Sequence, residues 1–159
     1  MHILLCGLLA ASLCVSQAFA ADTRLMSDSQ YKMFLTHVES KLPEWEKSLK
    51  KVDPAKANTS YAAGETITQS RNIGLLEIGY VRQSLAKLRV KRTVSEELAL
   101  HGFLRGVHDA MDSVVGMEVA SGLTLSSLES YGSEISKIER LIANDVTVRV
   151  ELLEKGACP

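Results

Sequence analysis

The sequence has almost no charge imbalance, few aromatic residues and few cysteines. Its 159 residues carry 18 Lys and Arg against 19 Asp and Glu, a formal net charge of −1. A nucleic-acid-binding domain needs a basic surface, so the charge disfavours that class of protein. Aromatic residues make up 5% of the chain, which leaves few rings for stacking on bases or sugars. Three cysteines in a chain of this length do not form a disulfide framework.

The first 20 residues have the pattern of a segment that is removed after export. Residues 4–15 form an apolar run, and residues 18–20 (Ala-Phe-Ala) fit the rule for signal-peptide cleavage. We therefore predict a signal peptide at residues 1–20 and a mature domain at 21–159, exported to a bacterial periplasm. Cleavage would remove 20 of the 159 residues with two of the three cysteines, and leave Cys158. The alternatives are a buried N-terminal helix and a membrane span, for which the run is short.

Apolar residues recur every three or four positions along most of the mature chain, which is the period of an amphipathic helix. Four segments show this period, at about residues 31–49, 65–92, 94–120 and 133–155. Pro43 lies inside the first segment and is expected to kink it or divide it into two helices. We predict an all-α, single-domain helical bundle of about four to six helices. The hydrophobic fraction of 46% is enough for its core.

The segments between these helices are predicted less directly. Residues 50–60 break the apolar pattern, and a short helical turn fits within them. Residues 121–127 are predicted to form a loop, followed by a short turn that ends near Gly132 before the last helix begins. Residues 146–151 alternate in polarity as a strand would, but the sequence offers no partner strand, which favours a helix.

The second helical segment carries two apolar faces. One continues the core pattern, and Ile73, Leu76 and Tyr80 lie on roughly the opposite side. Such a helix is either central in the bundle or buried against another chain, so these three residues are our candidates for a homodimer contact. The cations at residues 87–92 suit a helix C-terminus, where they would face the negative end of the dipole and solvent.

The third helical segment opens with a capping-box pattern, in which Glu96 follows Thr93 by three residues. Glu96 and Glu97 are expected to belong to this helix start, and no catalytic role is assigned to them. A strip of small residues runs beside the apolar stripe and consists of Ala99, Gly102, Gly106, Ala110 and Ser113. Because a glycine within a helix costs about 1 kcal/mol relative to alanine, we expect the three glycines of this segment (Gly102, Gly106 and Gly116) to permit close approach of another backbone.

No pattern of residues points to catalysis. The sequence has no Gly-x-Ser-x-Gly elbow, no phosphate-binding loop and no His-Glu-x-x-His motif. His101 and His108 are seven residues apart, a spacing that does not place two ligands on one ion. We therefore predict no enzyme activity, no metal and no cofactor. A haem- or metal-binding helical bundle is the alternative that this pair of histidines keeps open.

Residues 101–113, which read HGFLRGVHDAMDS, contain the most specific motif of the chain. They follow a Gly-aromatic-aliphatic-x-Gly-Val-x-Asp-Ala pattern, whose positions are held by Gly102, Phe103, Leu104, Gly106, Val107, Asp109 and Ala110. This segment resembles the signature of the Tai-type immunity proteins, small exported helical proteins that protect bacteria from peptidoglycan amidases of type VI secretion systems. The signal peptide and the C-terminal Cys158 are similar too. The chain departs from the family at His101, where many members carry a cysteine.

The resemblance implies a periplasmic immunity protein, a homodimer that occludes the active-site cleft of its cognate amidase. The signature residues are then expected to pack the fold, and loops are expected to contact the enzyme. The first candidate loop combines two apolar plugs with hydroxyl groups and comprises Gly122, Leu123, Thr124, Leu125, Ser126 and Ser127. The second candidate loop begins with Asn58, Thr59 and Ser60. A periplasmic chaperone or adaptor is the remaining alternative.

Overall fold

Four α-helices and no strand are found in residues 26–56, 61–117 and 125–156, which are the residues that the computed structural model describes. The helices are α1 (Asp28–Lys51), α2 (Tyr61–Val90), α3 (Val94–Gly116) and α4 (Leu125–Glu154), with a 3-10 turn at Pro54–Lys56. The predicted all-α bundle is confirmed. The predicted signal peptide lies outside the described residues, and no described helix is long and apolar enough to cross a membrane.

Helix α1 begins at a capping box. The Ser27 hydroxyl accepts a hydrogen bond from the Gln30 backbone N–H at 3.3 Å, and the Gln30 side chain accepts one from the Ser27 N–H at 2.9 Å. Two N–H groups that lack an intrahelical partner are thereby satisfied. The helix continues through Pro43 without dividing. Leu42 and Trp45, on either side of the proline, are both buried in the core and hold the two halves on one stripe.

Each helix buries one stripe of apolar side chains in a common core. The stripe of α1 consists of Tyr31, Leu35, Val38, Leu42, Trp45 and Leu49, and that of α2 of Ile67, Ile78, Val81, Leu85 and Leu88. The stripe of α3 consists of Leu100, Leu104, Val107, Ala110, Met111 and Val114, and that of α4 of Leu128, Ile135, Ile138, Ile142 and Val146. The spacings of three and four residues that predicted these helices are the spacings of the buried positions.

Helix α4 begins earlier than the sequence predicts. Leu125, Ser126 and Ser127 were assigned to a loop, but they form the first turn of this helix, and Gly132 lies inside it. The buried stripe of α4 already begins at Leu128, so packing outweighs the helix-breaking tendency of a single glycine, about 1 kcal/mol. Residues 146–151 are helical, as predicted. The helix stops before Gly156, whose φ of 65° is the left-handed conformation that ends helices.

Consecutive helices run antiparallel, and α4 returns beside α1. The pairs that define these directions are Glu39–Arg89 and Glu46–Arg82 between α1 and α2, Ser70–Ser113 and Tyr80–Phe103 between α2 and α3, His101–Glu139 and Glu97–Arg149 between α3 and α4, and Met26–Asp145 and Lys41–Glu134 between α1 and α4. The contact between α2 and α3 is the most extensive, and that between α1 and α4 is the smallest of the four.

A buried ion-pair network joins the start of α1 and the α2–α3 connection to α3 and α4. Glu97, which is 1% exposed, accepts hydrogen bonds from Arg92 Nε at 2.8 Å and from Arg149. Asp145 is also buried, and accepts from Arg92 and from the Met26 backbone N–H at 2.9 Å. Two guanidinium groups thus face two carboxylates, so the network is balanced in charge.

The Arg92 guanidinium also lies over the ring of Tyr31, 3.8 Å from its centroid. Burial, together with the charge of Glu97 and a hydrogen bond to it, raises the pKa of the Tyr31 phenol. Burial alone would lower the pKa of Arg92, but its hydrogen bond to Glu97 and the charges of Glu97 and Asp145 raise it. The prediction that Arg92 faces solvent at a helix end is therefore wrong, because its guanidinium group pairs with the buried carboxylates of Glu97 and Asp145.

Candidate functional site

The close contact between α2 and α3 is built from small residues on both helices. Ser70 Oγ lies 2.9 Å from Ser113 Oγ. One turn further along, a Cβ atom placed on Gly74 would lie 3.0 Å from Ala110 Cβ and 2.9 Å from Leu49 Cδ1. These distances are below ordinary van der Waals contact. The two helices therefore approach to a distance that a side chain at Gly74 would prevent.

The next position along this contact places a carboxylate against a bare helix backbone. A Cβ atom on Gly106 would lie 2.8 Å from both Cγ and Cδ of Glu77. One turn beyond, the rings of Tyr80 and Phe103 pack at a tilt of 33°, with their centroids 5.1 Å apart. Gly106 is therefore closely approached, but by a side chain of α2 and not by the helix backbone that the sequence predicts.

The other glycines of α3 do not share this role. Nothing lies within 4 Å of a Cβ placed on Gly102 or on Gly116, and Gly102 is exposed. The prediction that these two glycines admit another backbone is thus wrong within the described residues. Val107 of the signature is buried in the core, and Phe103 packs partly buried against it, as predicted.

The second apolar face predicted on α2 remains uncovered within the part of the chain that the structure describes. Ile73 is 52% exposed, Leu76 is 55% exposed and Tyr80 is 37% exposed. Ile73 lies four residues before Glu77 and Tyr80 three residues after it, so both flank the carboxylate on the helix surface. We call this surface, formed by Ile73, Leu76, Glu77 and Tyr80 of α2 with Phe103 and Gly106 of α3, the Glu77 face.

Glu77 is the residue of this surface that the sequence analysis missed. Its Oε2 atom is buried and has no hydrogen-bond partner among the described residues. Burial raises the pKa of its carboxyl group. A glutamate on a long helix gives no sequence signal of burial, because only the missing side chain at Gly106, on the neighbouring helix, lets it settle there.

A second concave surface lies between α1 and α4, where helix contact is least extensive. It is an open cleft of about 560 Å³ with Phe34, Ile138 and Leu141 among its lining residues. His37 and Glu134 also line it, and His37 Nε2 lies 3.4 Å from Glu134 Oε1. The cleft thus combines apolar side chains with an acid that is already paired with His37 and Lys41.

The two histidines of α3 contact different acids. His101 Nε2 lies 3.2 Å from Glu139 Oε1, which Arg105 also contacts at 3.2 Å. His108 Nδ1 lies 3.1 Å from Asp109 Oδ1. No group of three or more His, Cys, Asp or Glu side chains suited to a metal occurs among the described residues. Asp109, a signature residue, is exposed and bonds within its own helix.

Most of the predicted amidase-binding residues cannot be compared with the structure. Gly122, Leu123 and Thr124 of the first candidate loop, and Asn58, Thr59 and Ser60 of the second, lie outside the described residues. Leu125, Ser126 and Ser127 are placed instead in the first turn of α4, as described above. Any contact by these three residues is therefore made from a helix end.

Comparisons of the chain with protein-family models, with curated proteins and with solved structures found no match.

Proposed function

We propose that this protein binds and inhibits a peptidoglycan amidase, as a periplasmic immunity protein that protects the cell from a type VI secreted enzyme. The uncovered Glu77 face is the observation that supports a role in binding another protein. A patch of exposed apolar side chains such as Ile73, Leu76 and Tyr80 is typical of a protein interaction site, and it lies beside a carboxylate oxygen that no described residue bonds. The amidase as partner follows from the resemblance of residues 102–110 to the Tai-type signature.

Inhibition in this proposal is by occlusion and requires no chemistry by the inhibitor. A four-helix scaffold tied together by a buried ion-pair network holds its shape on binding, which keeps the entropic loss of association small. Residues 122–127 and 58–60 remain the proposed segments for entering the catalytic cleft. Residues 1–20 act as the signal peptide that brings the protein to the compartment where the amidase works.

The homodimer also stays a prediction. Ile73, Leu76 and Tyr80 are exposed, as a dimer contact requires of the isolated chain. A two-fold axis through this surface would bring two copies of Glu77 together, and like charges oppose that contact. We therefore assign this surface to amidase binding. Measurement of the molecular mass in solution tests whether the protein is a homodimer.

The test is inhibition of the amidase encoded by a neighbouring gene, with residues 21–159 as the inhibitor. We expect loss of peptidoglycan cleavage at a one-to-one ratio of chains, and survival of cells that express the amidase in the periplasm together with this protein. Full cleavage in the presence of excess protein, with no protection of cells, would refute the proposal. A visible absorption band in the purified protein, or weak binding to many unfolded proteins, would instead favour the haem-binding or chaperone alternative.

A further inference from the structure

The surroundings of the Glu77 carboxylate offer its buried oxygen no hydrogen-bond donor among the described residues. Its stem packs on Gly106, its Oε2 atom lacks a hydrogen-bond partner, and apolar Ile73 and Tyr80 flank it on the surface. A carboxylate in such a place is unfavourable unless a donor reaches it. Methionine or glutamine would fill the same space without the charge. In the free protein, therefore, no described residue donates a hydrogen bond to the buried Oε2 atom of Glu77.

The cations of the neighbouring helix surfaces are engaged elsewhere. Arg71 donates to the Val52 carbonyl oxygen at 3.0 Å, on the α1 side of the bundle. Arg82 pairs with Glu46 of α1. Arg105 pairs with Glu139 of α4 at 3.2 Å. None of these three is bonded to Glu77, so a cation brought by another molecule meets no intramolecular competitor among them.

We propose that the Glu77 face is the surface through which this protein binds a protein partner, and that the partner inserts a lysine or arginine side chain to reach Glu77. The identity of that partner as the amidase rests on the proposed function. The charge is complementary to Glu77, and the aliphatic stem of such a side chain packs against Ile73 and Leu76. The paired rings of Tyr80 and Phe103 add an aromatic surface that attracts a cation.

This surface suits a different protein better than a second copy of the chain. In a two-fold dimer centred on Glu77 each carboxylate would approach the other, and the Glu77 face contributes no cation of its own to pair with either. Burying two carboxylates together would add repulsion to the absence of a donor. A heterologous partner has no such restriction, because its cation is placed independently.

The first experiment measures the affinity of the amidase for the wild-type chain, for Glu77→Gln and for Glu44→Gln. Glu44 is an exposed acid of α1 that pairs with Lys41 at 3.6 Å, so its substitution is the same chemical change away from the Glu77 face. We expect Glu77→Gln to raise the Kd at least about ten-fold, since a hydrogen bond to a charged group contributes that much. Glu44→Gln should leave the Kd within two-fold, roughly the range of exposed pairs.

Glu77→Gln should fold at least as well as the wild type, because it removes a charge whose buried oxygen has no hydrogen-bond partner among the described residues. Thermal melting followed by circular dichroism verifies this before binding is measured. An unchanged Kd for Glu77→Gln would overturn the inference and leave the proposed function standing. If the wild-type chain itself does not bind the amidase, the proposed function fails, and a second probe decides the inference.

That probe is benzamidine, an aromatic amidinium cation, titrated into the labelled protein and followed by nuclear magnetic resonance. We expect shifts concentrated on the Gly106 amide and the Tyr80 and Phe103 rings, abolished in Glu77→Gln and retained in Glu44→Gln. Absence of these shifts in the wild type would overturn the inference without reference to the amidase. So would a homodimer in light scattering that Tyr80→Glu converts to monomer, because the second copy would then occupy the Glu77 face.

Discussion

Replacing Glu97 by glutamine should destabilise the fold more than replacing Asp145, the other acid of the buried ion-pair network, by asparagine. Glu97 is buried and accepts from both Arg92 and Arg149, while Asp145 is the other acid of the network. Glutamine keeps the shape but removes one negative charge, so two partly buried guanidinium groups are left with one carboxylate. Arg92 and Arg149 donate to different oxygens of Glu97, so the amide nitrogen also places a donor against one of these two guanidinium groups.

The expected loss is about 3 kcal/mol in the free energy of unfolding. Removing one partner of a buried pair costs about 3–5 kcal/mol, and we take the lower end because the side chains of Arg92 and Arg149 are 18% and 21% exposed and reach some water. For a chain of this size the melting temperature should fall by about 6–12 °C. Urea unfolding followed by the fluorescence of Trp45, the single tryptophan and fully buried, measures the loss.

The matched control is Glu39→Gln, the same chemical change at a side chain that is 55% exposed and paired with Arg89. An exposed pair contributes about 0–1 kcal/mol, so this variant should unfold almost as the wild type does. A double variant, Glu97→Gln with Arg149→Met, restores charge balance and should recover part of the loss. Additive losses in the double variant, or equal losses for Glu97→Gln and Glu39→Gln, would refute the reasoning from buried charge.

Three further predictions concern the α2–α3 contact and the Glu77 face. Gly74→Ala should destabilise the protein by about 1–2 kcal/mol, because its methyl group would lie 3.0 Å from Ala110 Cβ. Gly102→Ala places its methyl group in open space and should stabilise the protein by up to about 1 kcal/mol. Equal effects of the two substitutions in thermal melts would contradict this. Glu77→Gln should gain stability over the wild type as the pH rises above about 4, the ordinary pKa of glutamate, since burial raises the pKa of this carboxyl group in the folded state and the ionised wild type is destabilised; a pH-independent difference in urea unfolding would contradict it. Tyr80→Glu should leave the mass of any homodimer unchanged in light scattering, because the Glu77 face is assigned to the amidase, and conversion to monomer would place the second copy on that face instead.

The candidate site was only half visible in the sequence. The three- and four-residue spacing of Ile73, Leu76 and Tyr80 predicted a second apolar face on α2, because side-chain direction along a helix follows from sequence position alone. Glu77 lies within that face, but glutamate is a residue type that is also usual at solvent-exposed helix positions. Its burial depends on Gly106, 29 positions later in the chain, and on the direction in which α3 returns.

The sequence by itself determined the helices and their buried stripes, as at Leu35 and Val38 of α1, because the periodicity of a helix is local. It also determined the start of α3 through the Thr93 cap, whose hydroxyl accepts from the Glu96 N–H at 3.3 Å. Only the tertiary structure decided which charges are buried, because burial of Glu97 needs cations from separate segments. For the same reason it alone distinguished Gly106, which faces α2, from Gly102, which faces open space.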